Sequence, residues 1–476
     1  MSTAIVWFRR DLRLADNPAL AAAARDHDAV APVFCFEPGL TGGRHASPNR
    51  NAYLLSCLAE LDESLQAIGG GLLIRSGDPA REVGALAREL GAEAVYACAD
   101  PTAHAGRRDR RVAEGLGRVG VELVATGGIA CADVAEIETS EGGPYGVFTP
   151  FYRAWKRAPR REPERAPRSI EVPAGPAKGR MPAASRLGVD AAARRIAAAA
   201  EPGEAAARRR LSQYLRRVDE YAERHDLPGA DATSRMSPAL HFGTISPLAM
   251  EARLRDRRST GASALRRQLA WRDFYLHLIH HHPENARREH QARFRGMRWR
   301  RDGDELEAWK EGRTGYPLVD AGMRQLAETG WMHNRARLAA ASFLTKDLLI
   351  DWREGEAHFM RHLLDGDEAN NNGNWQWTAS VGADAAPYFR ILNPVRQQQR
   401  FDPDGIYVRR WVPELAKLPD RWLAEPWKAP EDVQREAGLA IGRDYPEPIV
   451  GHAKARDEAL ARFGAARAPA SSSSSS

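Results

Sequence analysis

The stretch AIVWFRRDLRLADNPALAAAARDHDAVAPVFCF (residues 4–36) contains two apolar runs on either side of an alanine-rich segment. The runs, 4–8 and 29–36, consist of apolar residues only, which is typical of strands that are buried on both faces of a sheet. The segment between them, 17–25, has the spacing of an amphipathic helix. The stretch therefore predicts two parallel strands joined by a crossover helix.

The same alternation continues as far as residue 126. Further apolar runs predict three more strands, which are GLLIR (71–75), AEAVYA (92–97) and VELVA (121–125). Amphipathic stretches predict helices at 49–68, 79–90 and 105–118. The pattern predicts an α/β N-terminal domain with a doubly wound parallel sheet, which is a Rossmann-like fold. Because no G-x-G-x-x-G follows the first strand, a standard nicotinamide-binding domain is not expected.

The chain has 476 residues and a formal net charge of +6, and this charge is unevenly placed. Residues 156–210 contain 14 Lys/Arg and 6 Asp/Glu and are rich in Ala, Pro and Arg. This composition predicts a solvated interdomain connector that buries no core. The predicted divisions are an α/β domain at 1–130, a connector at 131–211, a helical domain at 212–465 and a disordered, serine-rich tail at 466–476.

From about residue 212 the apolar residues follow a helical period. They recur at i, i+3, i+4 and i+7 in the stretches 211–228, 263–283, 317–330 and 334–364. The second half of the chain is therefore predicted to be all-α. Ten of the 12 tryptophans lie after residue 270, which indicates an aromatic-lined pocket or a redox function.

The cysteines indicate the compartment. None of the four, Cys35, Cys57, Cys98 and Cys131, has C-x-x-C spacing, so we expect reduced thiols and neither disulfides nor a metal site. No apolar stretch approaches the roughly 20 residues of a membrane span, and the N-terminus lacks the pattern of a secretory signal. We expect a cytoplasmic protein without a metal or a membrane partner.

Five long blocks of sequence carry a resemblance to a known family. They are WFRRDLRLADNPAL (7–20), TSRMSPALHFGTISP (233–247), TGYPLVDAGMRQLAETGWMHNRAR (314–337), DLLIDWREGEAHFMRHLLDGDEANNNGNWQW (347–377) and DAAPYFRILNPVRQQQRFDPDG (384–405). Over nearly its whole length the chain resembles the photolyase/cryptochrome family of flavoproteins. It resembles most the bacterial members that repair cyclobutane pyrimidine dimers. The resemblance implies an α/β domain, a long connector and a helical domain that holds FAD.

The resemblance also implies which residues bind FAD. The flavin-phosphate loop of the family corresponds to Thr233, Ser234, Arg235, Met236 and Ser237, where hydroxyls and N–H groups at a helix start suit a diphosphate. An ordinary capping cluster is the alternative. Other flavin-contacting positions correspond to Tyr221, Arg272, Trp331, Asn334 and Asp367. Arg337 and Asp365 correspond to an ion pair close to the isoalloxazine ring, with a plain core salt bridge as the alternative.

Asn371 corresponds to the position that faces flavin N5, where photolyases usually have Asn, plant cryptochromes Asp and insect light receptors Cys. A neutral amide does not readily transfer a proton, which fits a flavin held as FADH⁻ and favours repair over signalling. The alternative is a turn cluster formed by 370–372.

Three tryptophans correspond to the electron-transfer chain of the family. In order from the flavin to the surface they are Trp375, Trp352 and Trp299. Seven arginines and one glutamate lie between residues 287 and 301, around the outer member of this chain. We interpret them as a solvated face.

The lesion-binding residues of the family have counterparts as well. Trp271 and Trp377 correspond to aromatic walls, against which a flipped dimer regains the contact that it loses on leaving the stack. Other positions that contact DNA or lesion correspond to Gln268, Asn334, Leu338 and Arg390, and the groove is expected to be rimmed by Arg396, Arg400, Arg409 and Arg410. Phosphate contacts of this kind predict a salt-dependent affinity.

Three residues depart from the family pattern. Gln268 stands where dimer-repairing relatives carry Glu, Leu338 where they carry Met, and His225 where Arg is expected. Gln at the first position also occurs in (6-4) photolyases and animal cryptochromes. Those (6-4) enzymes need histidines at the positions of Asn334 and Leu338, and the iron–sulfur (6-4) enzymes need clustered cysteines, of which none follows Cys131. Cyclobutane dimers are therefore the favoured substrate.

The antenna chromophore is predicted from one loop. Folate-binding relatives carry Asn-Glu where this chain has His104-Ala105, so the carboxylate that would hold methenyltetrahydrofolate is absent. Asp100 corresponds to an aspartate used by deazaflavin-binding relatives. A deazaflavin is favoured over the folate, and a second flavin or no antenna remain the alternatives.

The resemblance thus implies a light-driven DNA repair lyase. An electron from excited FADH⁻ enters a dimer flipped out of UV-damaged DNA, the cyclobutane ring splits, and the electron returns to the flavin. We expect the enzyme to act on single- or double-stranded DNA as a monomer. The alternatives are a cryptochrome-type blue-light photoreceptor, which Asn371 and the short tail disfavour, and a (6-4) photolyase.

Overall fold

The computed structural model describes residues 1–43, 45–301, 303–384 and 390–467. The chain forms two compact units. The first unit consists of Met1–Ala222, Ser234–Pro283 and Met360–Asn370, and the second consists of Glu223–Thr233, Glu284–Phe359 and the chain from Asn371 onward. The domain limits predicted from the sequence remain a proposal.

The first unit contains a five-stranded sheet. Its strands are β1 (Thr3–Phe8), β2 (Ala29–Phe36), β3 (Leu73–Ser76), β4 (Ala94–Cys98) and β5 (Glu122–Thr126). They lie in the order β3-β2-β1-β4-β5, and every neighbouring pair is parallel. Ala4 of β1 lies opposite Val30 on one side and Ala94 on the other. The predicted doubly wound sheet is confirmed, and its strand order reverses between β1 and β4.

The helices of the first half of the chain are α1 (Pro18–Asp26), α2 (Pro38–Thr41), α3 (Pro48–Gln66), α4 (Pro79–Leu90), α5 (Ala103–Gly117), α6 (Phe148–Arg157), α7 (Ala191–Ala199), α8 (Glu204–Tyr214) and α9 (Tyr221–Arg224). The helices that follow are α10 (Ser237–Phe242), α11 (Pro247–Arg255), α12 (Thr260–His281), α13 (Asp304–Lys310), α14 (Pro317–Thr329), α15 (Asn334–Ser342), α16 (Trp352–His362), α17 (Glu368–Thr378), α18 (Pro394–Phe401), α19 (Ile406–Trp411), α20 (Asp420–Leu423), α21 (Glu431–Glu436) and α22 (His452–Arg467). Short 3₁₀ turns lie at Ala184–Leu187, Val218–Glu220, Pro228–Ala230, Pro283–Ala286, Ala292–Phe294, Pro413–Leu415 and Pro426–Lys428, and a π-helical turn lies at Phe343–Asp347.

Alternate residues of β1 fill two different cores, because successive side chains of a strand point to opposite faces. Ile5 and Trp7 belong to one buried cluster, together with residues of α4 and α5. Val6 and Phe8 belong to the other, together with residues of α1 and α3. Since both faces are covered, the strands consist of continuous apolar runs, as the sequence predicted.

The connector contributes to one of these cores. Ile170, Leu187, Val189 and Ile196 are buried in the same cluster as Val6. The expectation that 156–210 buries no core is therefore wrong. These four residues are buried in the core of the first unit, whereas Val172 and Met181 of the same segment are exposed, and average composition does not show where single residues pack.

The periodic stretch 334–364 is not a single helix. α15 ends at Ser342, a π-helical turn follows, and α16 begins at Trp352. Between them Leu349 has a left-handed backbone with φ 53°, and Ile350 forms a parallel bridge with Arg300. A π-helical turn inside a helical region often marks a functional site, and here it precedes one of the predicted relay tryptophans.

The C-terminal helix α22 runs from His452 to Arg467. Residues 466 and 467 of the predicted tail belong to α22, and 468–476 lie outside the described residues. The four cysteines are buried and free. In the described ranges, none of the helices is both long and apolar enough to cross a membrane.

Candidate functional site

The predicted phosphate loop, residues 233–237, follows the 3₁₀ turn Pro228–Ala230 and leads into α10. Oγ1 of Thr233 is buried and has no hydrogen-bond partner among the described residues. The N–H of Met236 donates to Oγ of Ser234 at 3.4 Å, and Arg235 has a left-handed backbone with φ 50°. A buried hydroxyl without a partner is costly unless a ligand satisfies it. The loop therefore fits a diphosphate.

Tyr221 and Arg272 are both held in the first unit. Tyr221 is buried and lies edge-on to Tyr214, with 6.4 Å between ring centroids. Nη1 of Arg272 donates to the carbonyl of Ile129 at 2.6 Å, and Nη2 donates to the carbonyl of Leu240 at 3.4 Å. Nη1 also lies 3.7 Å from the carboxylate of the buried Asp273, so the guanidinium is oriented by carbonyls and paired with a negative charge.

Asp367 is part of a buried ion network. Its carboxylate accepts a short hydrogen bond from Arg10, and it also accepts from the backbone N–H and the amide of Asn370 at 2.8 and 2.7 Å. The other Nη atom of Arg10 lies 3.3 Å from Asp100. Burial opposes ionisation, but the charge of Arg10 outweighs it and holds the pKa of both carboxyl groups below their ordinary values. One guanidinium thus joins a predicted flavin residue to the predicted antenna residue.

Asp365 lies close to Arg50 in the first unit. Nη1 of Arg50 donates to the carbonyl of Leu363 at 2.9 Å. Burial lowers the pKa of Arg50 to about 10, and the charge of Asp365 opposes this shift. Arg337 belongs to the second unit, where its Nε donates to the carbonyl of Met332 at 2.9 Å. The pairing of Arg337 with Asp365 stays a prediction.

Helix α17 carries Asn371 and Trp375 four residues apart, so both side chains lie on one face of the helix. Asn371 is buried, and its Nδ2 donates to the carbonyl of Glu356 at 3.0 Å. The next residue, Asn372, donates to the carboxylate of Glu356 at 3.1 Å. The asparagines therefore tie α17 to α16 and are not a solvent-exposed turn cluster.

The ring of Trp375 is closely packed. A Cβ atom added to Gly355 on α16 would lie 2.1 Å from Cη2 of Trp375, so the ring lies directly against the backbone of α16. Phe359 contacts it edge-on, with 5.0 Å between centroids, and Trp309 does so at 6.1 Å. Trp375 is consequently held in one orientation against Gly355, which lies one helical turn along α16 from Trp352.

Trp352 and Trp299 flank a hydrogen-bonded backbone pair. The N–H of Asp351 donates to the carbonyl of Arg300 at 2.6 Å, and each tryptophan is the neighbour of one of these residues. The indole N–H of the fully buried Trp352 lies 3.4 Å from Glu289 Oε1. The structure therefore brings the outer and middle members of the predicted chain onto adjacent segments.

Trp331, Asn334, Arg337 and Leu338 surround the start of α15. His333 caps this helix, since its Nδ1 accepts from the N–H of Arg335 at 3.2 Å. Burial lowers the pKa of His333 to about 4, so the imidazole is neutral at pH 7 and its Nδ1 remains an acceptor. Asn334 itself is exposed at the first turn, whereas Trp331, Arg337 and Leu338 are half-buried.

Trp271 lies in an aromatic stack of the first unit. Its ring is parallel to that of Phe148, with 3.6 Å between centroids and 6° between planes. Phe148 in turn stacks on Tyr152 at 5.6 Å, and the guanidinium of Arg267 lies 5.3 Å from the Phe148 centroid. Gln268, one residue further along α12, is exposed. The stack forms a flat aromatic surface beside a cation, which suits an unstacked base.

Trp377 and Arg390 meet in the second unit. The guanidinium of the exposed Arg390 lies 5.7 Å from the ring centroid of the half-buried Trp377. An aromatic face with a neighbouring arginine is able to contact a base and its phosphate together. The residues between α17 and Arg390 include 385–389, which lie outside the described residues.

The predicted antenna residue lies at the point where the strand order of the sheet reverses. Asp100 follows β4 and accepts from the N–H of Thr102 at 2.9 Å in addition to its pairing with Arg10, which follows β1. Glu37 follows β2, and it accepts from Arg108 at 2.9 Å and lies 3.4 Å from His104. Ligands of doubly wound sheets bind at this carboxyl edge.

Three residues with a place in these sites were missed by the sequence reasoning. Arg10 links Asp367 to Asp100, and its signal was its position in the block 7–20. Phe148 stacks on Trp271, but it lay in the predicted connector. Nδ1 of His241 is buried without a partner in the described part of the chain, and burial lowers its pKa well below the ordinary value, so the ring is neutral.

The fold and these sites define a flavoprotein with an α/β domain and a helical FAD-binding domain, and comparison with known proteins agrees. A family model described as DNA photolyase matches residues 4–170, and one described as FAD binding domain of DNA photolyase matches residues 265–465. The chain belongs to the DNA photolyase family.

Individual relatives agree with this membership. A deoxyribodipyrimidine photo-lyase of Streptomyces griseus is 45% identical over 470 residues, which cover 98% of this chain and 99% of the relative. A class III photolyase of Agrobacterium tumefaciens matches with a TM-score of 0.92 at 39% identity, covering 98% of both chains. A Synechocystis cryptochrome matches with a TM-score of 0.90 at 30% identity, covering 97% of this chain and 99% of the other. Since both kinds of protein share the fold, the fold alone does not separate repair from signalling.

Proposed function

We propose that the protein is a light-dependent deoxyribodipyrimidine photo-lyase that splits cyclobutane pyrimidine dimers in UV-damaged DNA. The observation that carries the proposal is the shared face of α17, where the amide of Asn371 and the indole of Trp375 lie four residues apart. This arrangement supports a neutral flavin contact and the first electron relay at one place. The relatives named as photo-lyases support it further.

FAD is held, in this proposal, by the residues that the resemblance assigns to it. The hydroxyl of Thr233 and its loop bind the diphosphate, which is supported by the unsatisfied Oγ1. The network of Arg10 and Asp367 binds the ribitol side, and Tyr221 and Arg272 supply further contacts. Once bound, FAD in its reduced form supplies the light-excited electron that enters the dimer and returns after the ring has split.

Asn371 keeps the flavin from exchanging a proton at N5. Its Nδ2 is engaged by the carbonyl of Glu356, so Oδ1 is the atom left to accept from a flavin N–H. An amide oxygen accepts this hydrogen bond without removing the proton, because a neutral amide is a very weak base. The residue therefore supports the reduced anionic flavin that repair requires.

The three tryptophans serve a separate step, which restores the reduced flavin. Trp375, Trp352 and Trp299 pass an electron inward, one indole at a time. The tight packing of Trp375 against Gly355 and the backbone pairing beside Trp352 and Trp299 support this order. Rigid placement lowers the reorganisation that each transfer needs.

Each unit carries an aromatic surface to which the resemblance assigns contact with the lesion. We propose that Trp271, backed by Phe148, and Trp377 contact the flipped dimer, and that Arg390 binds a neighbouring phosphate. We also propose that Gln268, Asn334 and Leu338 contact DNA or the lesion. Trp331, Asn334 and the ion pair of Arg337 and Asp365 are instead proposed to contact the flavin. The lack of histidine at positions 334 and 338 supports cyclobutane dimers over (6-4) products.

A deazaflavin antenna is proposed for the carboxyl edge of β1 and β4. The support is the loss of the folate-binding carboxylate at His104-Ala105 and the placement of Asp100 at the reversal of strand order. We also propose a monomeric, cytoplasmic enzyme, and the free state of all four cysteines supports the cytoplasmic location. Release of the bound chromophores by denaturation, followed by chromatography, distinguishes deazaflavin from folate and from a second flavin.

The deciding experiment measures dimer content in DNA. Oligonucleotides that carry one cyclobutane dimer or one (6-4) product are incubated with the reduced, FAD-loaded protein in blue light or in the dark. We expect loss of the cyclobutane dimer in the light only, with the (6-4) product unchanged. Equal dimer content in light and dark, with reduced FAD verified by its absorption, refutes the proposal. Light-dependent binding to a protein partner without any repair would instead indicate a photoreceptor.

A further inference from the structure

The segment 287–301 carries an unusual density of surface charge. It contains seven arginines, all of them exposed: Arg287, Arg288, Arg293, Arg295, Arg298, Arg300 and Arg301. Its single acidic residue, Glu289, is buried and pairs with Arg353 at 3.0 Å. The negative charge of the segment therefore points away from solvent, and its surface is more basic than its composition suggests.

Only part of this positive charge is neutralised by neighbours. Arg300 lies 2.9 Å from Glu305, and Arg301 lies 3.7 Å from Asp351. By contrast, Arg293 and Arg298 have no carboxylate within ion-pair distance in the described ranges. The guanidinium of Arg293 donates to the amide oxygen of Gln291 at 3.0 Å, which leaves its charge in place.

These two arginines lie around one tryptophan. Arg298 is the chain neighbour of the half-buried Trp299, whose ring contacts Phe463 edge-on at 5.9 Å between centroids. Phe463 contacts Phe294 at 5.7 Å, and the guanidinium of Arg293 lies 5.0 Å from the Phe294 centroid. The three aromatic rings thus form a cluster with uncompensated cations beside it.

The indole N–H of Trp299 has an environment that slows loss of its proton. Nε1 is buried and has no hydrogen-bond acceptor among the residues that the structure describes. An oxidised indole loses its N–H proton to a base, and none of the described side chains offers one to Nε1. Oxidised Trp299 is therefore expected to be reduced by a molecule that arrives from solution, because none of the described side chains accepts a hydrogen bond from its Nε1.

We propose that this arginine surface, residues 287–301 around Trp299, docks an anionic one-electron donor that reduces oxidised Trp299. The inference rests on the proposed function, in which Trp299 is the outer end of the relay. The donor loses one electron and leaves as its one-electron-oxidised form. Oxidised Trp299 gains that electron and becomes the neutral indole again, taking back one proton from solvent if its Nε1 proton has been released.

The expected size of the effect follows from electrostatic steering. A localised patch of one sign raises the association rate of an oppositely charged molecule by about 10- to 1000-fold, and this gain falls with ionic strength. Because the Debye length is about 10 Å at 0.1 M salt, only charges close to Trp299 contribute. Two uncompensated arginines correspond to the lower end of this range.

The test uses the full chain with oxidised FAD bound and excited by a light flash. The decay of the tryptophan radical is followed by transient absorption with ferrocyanide as the anionic donor and with an uncharged phenylenediamine as the comparison. In the double variant Arg293→Glu and Arg298→Glu, we expect the second-order rate with ferrocyanide to fall about tenfold at low salt. The rate with the uncharged donor should stay within twofold, and so should repair by pre-reduced protein.

A matched control carries the same change in net charge at another site. Arg257→Glu with Arg258→Glu alters two exposed arginines of the turn after α11 and should leave the ferrocyanide rate within twofold. Equal losses in both double variants would show an effect of net charge only and overturn the proposal. An unchanged ferrocyanide rate together with weaker binding of dimer-containing duplex would assign the surface to DNA. Absence of any tryptophan radical would instead contradict the relay itself, and hence the proposed function.

Discussion

Replacement of Gly355 by alanine tests whether the ring of Trp375 is seated against α16. The added Cβ would lie 2.1 Å from Cη2 and 2.5 Å from Cζ3 of that ring, and 2.6 Å from Cδ2 of Leu344. Ordinary carbon contacts are about 3.5–4.0 Å. The ring must therefore move by more than about 1 Å, and Phe359 and Trp309 limit where it can go.

Two opposing effects set the change in the free energy of unfolding. Overpacking a well-filled core costs about 1–3 kcal/mol, and the upper end applies here because three atoms overlap with the new methyl group. Alanine in place of glycine within a helix contributes about 1 kcal/mol in the opposite direction. We expect the free energy of unfolding to fall by about 2 kcal/mol. A shift of about 1 Å in a reacting group can lower a rate up to about 100-fold, so photoreduction of FAD should slow at least severalfold.

Urea unfolding of the FAD-loaded protein measures the free energy of unfolding. The initial rate of FAD bleaching in blue light measures photoreduction. The matched control is Gly84→Ala in α4, where an added Cβ meets no atom within 4 Å. This control should keep the wild-type bleaching rate and gain up to about 1 kcal/mol of stability. Wild-type stability and wild-type photoreduction in the Gly355→Ala protein would refute the packing of Trp375 against the backbone of Gly355.

Four further predictions address the relay, the ion network and the lesion site. Trp352→Phe should abolish photoreduction of oxidised FAD and spare repair by pre-reduced protein, and normal bleaching in light would reject the assigned relay. Asp367→Asn should cost about 3 kcal/mol at pH 7, because it removes one partner of a buried ion pair with Arg10. Because folding lowers the pKa of Asp367, its contribution to the free energy of unfolding is complete above about pH 4 and is lost as the pH falls further. The free energies of unfolding of variant and wild type, measured in urea, should therefore converge in acid. A difference that does not change with pH would exclude the ion network. Gln268→Glu should raise the yield of repaired dimers per photon without changing FAD content, and an unchanged or lower yield would mean that the pocket is arranged differently. Arg390→Ala should reduce the slope of log affinity against log salt by about 1 for dimer-containing duplex, and an unchanged slope would exclude a phosphate contact.

Much of the fold could be predicted from the sequence because the signals are local. The continuous apolar runs at 4–8 and 29–36 predicted strands with both faces covered, and β1 and β2 lie there. The helical period of 79–90 corresponds to α4 at the same residues. The prediction was wrong where the packing of single residues differs from what the average composition of their segment indicates. Ile170 and Ile196 of the Arg-rich connector are buried against the sheet unit, although the composition around them predicted a solvated segment.

For the candidate site, too, some features follow from the sequence and others only from the tertiary structure. The sequence by itself predicted which residues carry the chemistry, because the ordered blocks around 233–247 and 347–377 contain hydroxyls, carboxylates, amides and indoles at positions that resemble those of the family. Only the tertiary structure decided how these groups are oriented and charged. Arg10 contacts Asp367 across 357 positions of the chain, and the indole of Trp375 packs on the backbone of Gly355. Sequence spacing does not contain such long-range contacts, since they depend on where complete helices and strands pack, and these contacts set the pKa values and the rigidity on which the proposed function depends.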